Sequence, residues 1–157
     1  MATGTPATTL LTDAGIIYVE HEYQHETSAT SFGLEAAEKL GIDPSQVFKT
    51  LVVAVDDYSA VAIVPVNQQV SLKALSRVLG AKKATMADPE VAARMTGYVV
   101  GGISPLGQKK LLPTVIAESA QLLGTVLVSG GKRGFDIELS PIDLAELLQA
   151  KFADIAI

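Results

Sequence analysis

The segment HEYQH, residues 21–25, matches the H-E-x-x-H pattern in which two histidines of one helix bind zinc. Residues 16–23, IIYVEHEY, show an alternating pattern and are rich in β-branched and aromatic side chains, and therefore predict a strand instead. In a strand, the two imidazoles would lie about 13 Å apart, too far to share a metal bound at about 2 Å. His21 and His25 are the only histidines in the sequence, so we predict no metal site and no cofactor.

A second pattern, GGKRG at residues 130–134, is similar to the end of a phosphate-binding loop. Such a loop continues with Gly-Lys-Ser/Thr into a helix, whose N-terminus binds the phosphate. Here Arg133 follows Lys132, and the alternating segment 135–139 predicts a strand. We therefore predict a hairpin turn, from which Lys132 and Arg133 remain available for a phosphate contact.

A third stretch, GYVVGGISPLGQKK at residues 97–110, contains four glycines, one proline and two lysines. Glycines let a backbone approach a ligand closely and expose N–H groups to an anion or a developing oxyanion. The composition of this loop is compatible both with a structural turn and with a binding loop.

Lys49 is the least expected charge in the sequence, because it lies in the apolar run QVFKTLVV, residues 46–53. Both faces of this run are apolar, which is typical of a central strand covered on both sides. One interpretation is that the lysine stem packs on apolar neighbours while its ammonium reaches water. The other is that Lys49 points into a cleft at the end of the sheet and meets an anion there.

The elements that must position these residues are short and mixed. The pattern predicts α+β architecture: a single domain, 1–157, with one twisted mixed sheet flanked by short helices. Strands are predicted at 16–23, 48–55, 60–66, 125–129 and 135–139; helices at 31–41, 71–80, 88–95 and 140–150; a helical turn at 43–46; and a loop at 97–113.

Composition limits the function classes. The chain has 157 residues, 48% of them hydrophobic, and no apolar run of the length that a membrane helix needs. Its first residues lack the features of a signal peptide, so we expect a cytoplasmic protein that does not contact membranes. There is no cysteine, which excludes disulfides, thiolate metal sites and a protein thiol nucleophile.

The charge is unevenly distributed. Net charge is −5, yet residues 73–133 hold nine of the twelve Lys/Arg and three of the seventeen Asp/Glu, giving this block +6 and the rest −11. This distribution is compatible with a modest phosphate-bearing ligand and also with a solvated mixed surface.

Taken over nearly its full length, about residues 9–155, the chain resembles the YbaK-type aminoacyl-tRNA deacylases. These are free-standing relatives of the editing domain inserted in bacterial prolyl-tRNA synthetase. The resemblance lies in the segments YVEHEYQH, QVFKTLVVAV, LGAKKATMADPEVAARMTGYVVGGISPLGQKKLLPT, VLVSGGKRGFDIEL and AKFADI. It implies the YbaK fold, with a partly barrel-like sheet, and the branch that removes cysteine from tRNA(Pro).

The resemblance also implies site residues. The lysine of the family's F/Y-K-T segment falls on Lys49, and its G-x-x-x-P loop begins at Gly101 and ends at Pro105. These matches imply a catalytic role for Lys49 and Gly101. The implied substrate-binding residues are Tyr23, Phe32, Thr50, Gly102, Ser104, Pro105, Ser129 and Asp136.

The implied activity is cleavage of the aminoacyl ester of mischarged Cys-tRNA(Pro), with Cys-tRNA(Cys) as a further substrate. In the family's proposed mechanism, the thiol of the substrate cysteine attacks its own ester and leaves as a thiolactone. The implied partners are the tRNA acceptor end and prolyl-tRNA synthetase. Two alternatives stay open here: an editing enzyme for alanine or another small amino acid, and a non-catalytic nucleotide-binding module.

Overall fold

The strands of this protein divide between two sheets, as seen in a computed structural model that describes residues 4–27 and 31–157. Five α-helices are described: α1 (Pro6–Asp13), α2 (Phe32–Leu40), α3 (Leu72–Val78), α4 (Pro89–Thr96) and α5 (Pro141–Leu148). The strands are β1 (Val19–Glu22), β2 (Phe48–Val55), β3 (Tyr58–Pro65), β4 (Ala84–Met86), β5 (Thr114–Ala117), β6 (Val126–Lys132), β7 (Phe135–Leu139) and β8 (Lys151–Ala153). Two short 3-10 helices span Pro44–Gln46 and Glu118–Leu122.

The larger sheet has the strand order β4-β2-β3-β5-β8 and the smaller one the order β1-β7-β6. In the larger sheet, β2 is antiparallel to both neighbours, whereas β3, β5 and β8 run parallel. A single bridge between Val47 and Leu127 links the two sheets. The predicted α+β class and the YbaK-type fold are confirmed, but the strands form two sheets rather than one, and they do not close into a barrel.

One apolar core joins both sheets to the helices. Ile63 of β3 and Phe135 of β7 are fully buried in the same cluster as Leu11 of α1 and Leu144 of α5. A second, smaller cluster packs α2 against the bridge between the sheets, through Ala36, Ala37, Val47, Val66 and Leu127. Because α2 rests on this second cluster, its N-terminus is held beside the first residues of β2.

The sequence predicts the long elements well and the short ones poorly. Strands β2 and β7 have the predicted limits. The turn between β6 and β7 is shorter than the predicted GGKRG, because residues 130–132 belong to β6 and only Arg133 and Gly134 connect the strands. Five elements were not predicted, namely α1, β4, β5, β8 and the 3-10 helix Glu118–Leu122. Strands β4, β5 and β8 have three or four residues, too few to show a hydrophobic period. Helix α1 depends on a capping box formed by Thr5 and Thr8.

Among the described residues, no helix has the length and apolarity needed to cross a membrane.

Candidate active site

A cleft of about 350 Å³ opens where the two sheets meet. Strand β4 pairs with β2 only from Val53 to Val55, so the first half of β2 has no partner strand on that side among the described residues. The cleft occupies this gap, and the N-terminus of α2, the glycine loop and strands β6 and β7 form its other walls. It is lined by Tyr23, Ser31, Phe32, Gly33, Ala36, Val47, Phe48, Lys49, Thr50, Leu51, Val52, Met86, Ala87, Pro89, Ala92, Val100, Gly101, Ile103, Ser129 and Asp136.

Lys49 is the only lysine or arginine that lines this cleft in the described part of the chain. It lies at the second position of β2, opposite Val64 of β3. Its ammonium group makes no hydrogen bond or ion pair with the described residues. Burial lowers the pKa of its ammonium group, because desolvation disfavours the charged form. A half-buried cation without a protein partner is a ready contact for an anionic or hydroxyl-bearing ligand.

Asp136 is the matching acid of the cleft. It lies on β7 directly opposite Ser129 of β6, and only 6% of its surface is exposed. The Asp136 carboxyl group makes no hydrogen bond or ion pair with a described residue. Burial raises the pKa of this carboxyl group to about 7. A buried carboxyl without a partner is costly to ionise, and a bound cation would offset that cost.

Tyr23 lines the cleft near this carboxyl. Burial, and then the negative charge of Asp136, raise the pKa of the Tyr23 phenol to about 12. The phenol therefore stays protonated at neutral pH and is available as a hydrogen-bond donor. Its backbone is fixed by the bond from the Tyr23 N–H to the Gly134 carbonyl, 3.0 Å long.

Thr50 supplies a further polar atom without a partner. Its Oγ1 is buried and makes no hydrogen bond. A buried hydroxyl of this kind costs free energy unless a ligand or water satisfies it. Like Asp136, it therefore favours a polar ligand in the cleft.

Gly101 brings the glycine loop to the edge of the cleft. Its φ of +88° is a conformation that side chains rarely adopt. A Cβ at this position would lie 2.8 Å from ring carbons of Phe32 and 2.9 Å from Nε of Arg133. No hydrogen bond between described residues uses the Gly101 N–H, so this donor can meet an oxyanion.

Phe32, at the start of α2, is held on one side by the segment that follows β1. The His25 ring lies 5.5 Å from the Phe32 ring, centroid to centroid. Glu35 of α2 binds this segment through His25 Nδ1 at 2.8 Å and the Glu26 N–H at 2.8 Å. Burial acts to raise the Glu35 pKa, but these bonds and the nearby charges of His25 and Lys39 outweigh it and leave the pKa below its ordinary value.

Three of the ten residues implied by the resemblance lie outside the cleft lining: Gly102, Ser104 and Pro105. The Gly102 N–H donates to the Val99 carbonyl at 2.9 Å, so it is not open to a substrate. A Cβ on Gly102 would lie 2.7 Å from the backbone of Lys132, which shows close packing of the loop on the β6–β7 turn. Ser104 is fully buried, and its hydroxyl accepts from the Leu106 N–H at 3.2 Å.

The remaining seven implied residues lie together around the cleft. The sequence did not reveal the apolar wall formed by Leu51, Met86, Val100 and Ile103. These residues come from three separate segments, β2, β4 and the glycine loop, so no single pattern in the sequence connects them. The two histidines have carboxylate partners outside the cleft lining: His21 pairs with Glu138 at 2.7 Å and His25 with Glu35.

The groups around the cleft are suited to binding and orienting a ligand rather than to nucleophilic attack on it. Neither histidine is among the described residues that line the cleft, and the sequence has no cysteine. The Ser129 hydroxyl accepts a bond from the Gly131 N–H at 3.2 Å, and among the described residues no base accepts a hydrogen bond from it, not even Asp136 opposite it on β7. An activated protein nucleophile needs such a base or a depressed pKa. The cleft instead offers a cation, an acid, an open N–H group and a phenol around a small apolar wall.

Comparison with known proteins defines the class to which this fold and site belong. A structure described as a candidate trans-editing enzyme for prolyl tRNA synthetase superposes with a TM-score of 0.83, 24% identity and 99% coverage of both chains. The sequence profile of the aminoacyl-tRNA editing domain family matches residues 25–147.

This chain belongs to the aminoacyl-tRNA editing domain family. It is 41% identical over 136 residues to EbsC of Enterococcus faecalis, a candidate Cys-tRNA(Pro)/Cys-tRNA(Cys) deacylase, covering 85% of this chain and 83% of EbsC. It is also 43% identical over 76 residues to a proline–tRNA ligase of Shouchella clausii, but that match spans only 13% of the ligase. The resemblance seen in the sequence is thus confirmed, and it concerns editing rather than ligation.

Proposed function

We propose that this protein, as one editing domain over residues 1–157, cleaves the aminoacyl ester of mischarged Cys-tRNA(Pro), and that Cys-tRNA(Cys) is a second substrate. The observation that carries the proposal is that Lys49 and Asp136, two groups of opposite charge whose side chains have no partner among the described residues, line one small cleft. An aminoacyl-adenosine end presents the complementary groups, an α-ammonium and phosphate or hydroxyl oxygens. The identity to EbsC over most of both chains supports the same substrate class.

The size of the cleft agrees with such a ligand. Its volume of about 350 Å³ lies at the lower end of the range of about 300–1,000 Å³ that holds small molecules. The cysteinyl group and part of the terminal adenosine fit this space, whereas a longer stretch of tRNA must stay outside. The protein therefore reads the acceptor end and leaves the tRNA body unread.

Four polar groups of the cleft have a role in this proposal. Asp136, with Ser129 beside it, receives the α-ammonium group, which supplies the cation that the buried carboxyl lacks. Lys49 holds a phosphate or hydroxyl oxygen of the terminal adenosine and adds positive potential. The Gly101 N–H faces the ester carbonyl, where negative charge develops in the transition state.

The reaction needs no protein nucleophile. The thiol of the substrate cysteine loses its proton, and its sulfur bonds to the ester carbonyl carbon. The bond from that carbon to the ribose oxygen then breaks, and the oxygen takes up a proton. The products are a cyclic thiolactone and the free tRNA end, and no water is consumed. Binding holds the two reacting groups of one substrate in contact, so the entropy of orienting them is lost before the reaction step. This lowers the activation barrier by roughly several kcal/mol.

Selectivity for tRNA(Pro) requires a partner in this proposal. The basic block, residues 73–133, has a net charge of only +6 on a chain that is acidic overall. We therefore expect weak binding to free tRNA that weakens further with salt and hardly distinguishes tRNA bodies. Prolyl-tRNA synthetase, which releases the mischarged tRNA, is the proposed partner. Tight binding of tRNA(Pro) by this chain alone would contradict this part of the proposal.

The test is a comparison of deacylation rates on Cys-tRNA(Pro), Ala-tRNA(Pro) and Pro-tRNA(Pro) under single-turnover conditions. The proposal predicts rapid loss of cysteine and little loss of alanine or proline, because only cysteine carries the attacking thiol. Equal rates on cysteine and alanine would show that water is the nucleophile and that the enzyme edits small amino acids generally. No turnover on any of them, with tight binding of a free nucleotide, would identify a non-catalytic binding module.

A further inference from the structure

The turn between β6 and β7 is not among the described residues that line the cleft, but it contacts three segments that are. Nε of Arg133 donates to the Val100 carbonyl at 2.8 Å. The Arg133 guanidinium also lies 5.0 Å from the centroid of the Phe32 ring, within cation–π distance. The next residue, Gly134, accepts the Tyr23 N–H at 3.0 Å.

The Arg133 bond falls on one particular peptide group. The Val100 carbonyl and the Gly101 N–H belong to the same planar unit, and no cis peptide occurs among the described residues. In a trans peptide, the C=O and N–H point in opposite directions. A donor fixed on the Val100 oxygen therefore fixes the direction of the Gly101 N–H, away from Arg133.

A charged donor has a second effect on this group. A hydrogen bond to a carbonyl polarises the whole peptide and strengthens the bond that its N–H can donate. Arg133 thus both aims the Gly101 N–H and improves it as an oxyanion donor. The same guanidinium covers one side of Phe32, against which Gly101 packs.

We propose that Arg133 is a positioning residue, which holds the Val100–Gly101 peptide so that the Gly101 N–H meets the substrate carbonyl. The inference rests on the proposed deacylase function. It differs from the expectation that Arg133 contacts a tRNA phosphate. A phosphate contact needs only positive charge, whereas this role needs a donor on Val100 and a flat cationic face on Phe32 at the same time; a lysine ammonium can donate but has no flat face.

Two substitutions separate these roles. Arg133→Lys keeps the charge and removes the guanidinium, and Arg133→Ala removes both. If Arg133 is a positioning residue, both lower kcat for Cys-tRNA(Pro) by about tenfold or more, while KM changes less than about twofold. Arg77→Ala is the matched control, because it removes the same charge from α3, which contributes no residue to the cleft.

If Arg133 contacts a phosphate, the pattern differs. Arg133→Lys then behaves as wild type, whereas Arg133→Ala raises KM and reduces its salt dependence with kcat unchanged. That result would overturn the proposal. So would unchanged kcat in both variants.

Amide hydrogen exchange tests the same contact without substrate. We expect faster exchange in residues 97–103 of both variants, and unchanged exchange in β2 and β7. If the wild-type protein cleaves no aminoacyl-tRNA, the proposed function is wrong. The exchange result still decides whether Arg133 holds this peptide. Unchanged exchange in residues 97–103 would overturn the proposal even if the wild-type enzyme is active.

Discussion

Replacing Asp136 by Asn should make the ligand-free protein more stable at alkaline pH while it abolishes editing. The reason is that the Asp136 carboxyl is buried and has no cationic partner among the described residues. Its ionised form is therefore unfavourable in the folded chain and favourable in the unfolded one. Asparagine has nearly the same shape, carries no charge at any pH, and cannot pair with an α-ammonium group.

The magnitude follows from the pKa. Burial raises the Asp136 pKa from 3.8 to about 7, and each unit corresponds to about 1.4 kcal/mol. Below about pH 4 the carboxyl is protonated in both states and costs nothing. The cost grows as pH rises from about 4 to about 7 and is complete above that, at about 4 kcal/mol. The free energy of unfolding of Asp136→Asn should therefore exceed that of wild type by up to this amount at pH 8, and by much less at pH 4.5.

Urea unfolding of both proteins at the two pH values measures this difference. Near the midpoint of thermal unfolding, about 2–4 °C of Tm corresponds to 1 kcal/mol for a chain of this size. Asp57→Asn, an exposed change in the β2–β3 turn, is the control and should have little effect at either pH. The reasoning is refuted if the advantage of Asp136→Asn over wild type does not grow between pH 4.5 and pH 8.

Three further changes test other parts of the site. Gly101→Ala should lower the unfolding free energy by about 1–3 kcal/mol and slow deacylation, because the added Cβ meets Phe32 and Arg133. Gly124→Ala is the control, since its Cβ would meet nothing within 4 Å. Equal effects of the two substitutions would refute this prediction. Glu35→Gln should destabilise by about 1–3 kcal/mol at pH 7 in urea unfolding. Because the Glu35 pKa is lowered in the folded state, that loss should vanish as pH falls through the folded-state pKa, and a constant difference would contradict the account. Thr50→Val should leave Tm unchanged or higher, since it removes an unpartnered hydroxyl, but lower kcat/KM; a marked drop in Tm would show that the hydroxyl is satisfied.

The sequence predicts those parts of this fold that local patterns determine. Strand β2 is an apolar run of eight residues, and α2 lies between the cap of Ser31 and Gly41, so both could be located in advance. The split into two sheets could not be predicted, because it depends on which strands pair although they are far apart in the sequence. The Ser129–Asp136 pair, for instance, follows from the β6–β7 register and its bulge rather than from either residue type.

The candidate site divides in the same way. Lys49 is conspicuous because a charge interrupts an apolar strand, and Gly101 because a loop is rich in glycine. Nothing local marks Arg133 as bound to Val100, because this contact arises only when the loop packs on the β6–β7 turn. The Gly102 N–H is occupied within the loop itself, by the carbonyl of Val99 three residues earlier. The family resemblance identified the residues around the cleft, and the structure separates those that can reach a ligand from those that support the loop.

The most direct measurement is to locate a bound, uncleavable substrate analogue by NMR. In 3′-cysteinylamido-3′-deoxyadenosine an amide replaces the ester, so the analogue should bind without turnover. The account predicts chemical-shift changes centred on Lys49, Thr50, Gly101, Ser129 and Asp136, and loss of binding in Asp136→Asn. Shifts centred elsewhere on the surface, with these five residues unaffected, would show that the cleft is not where the aminoacyl end is held.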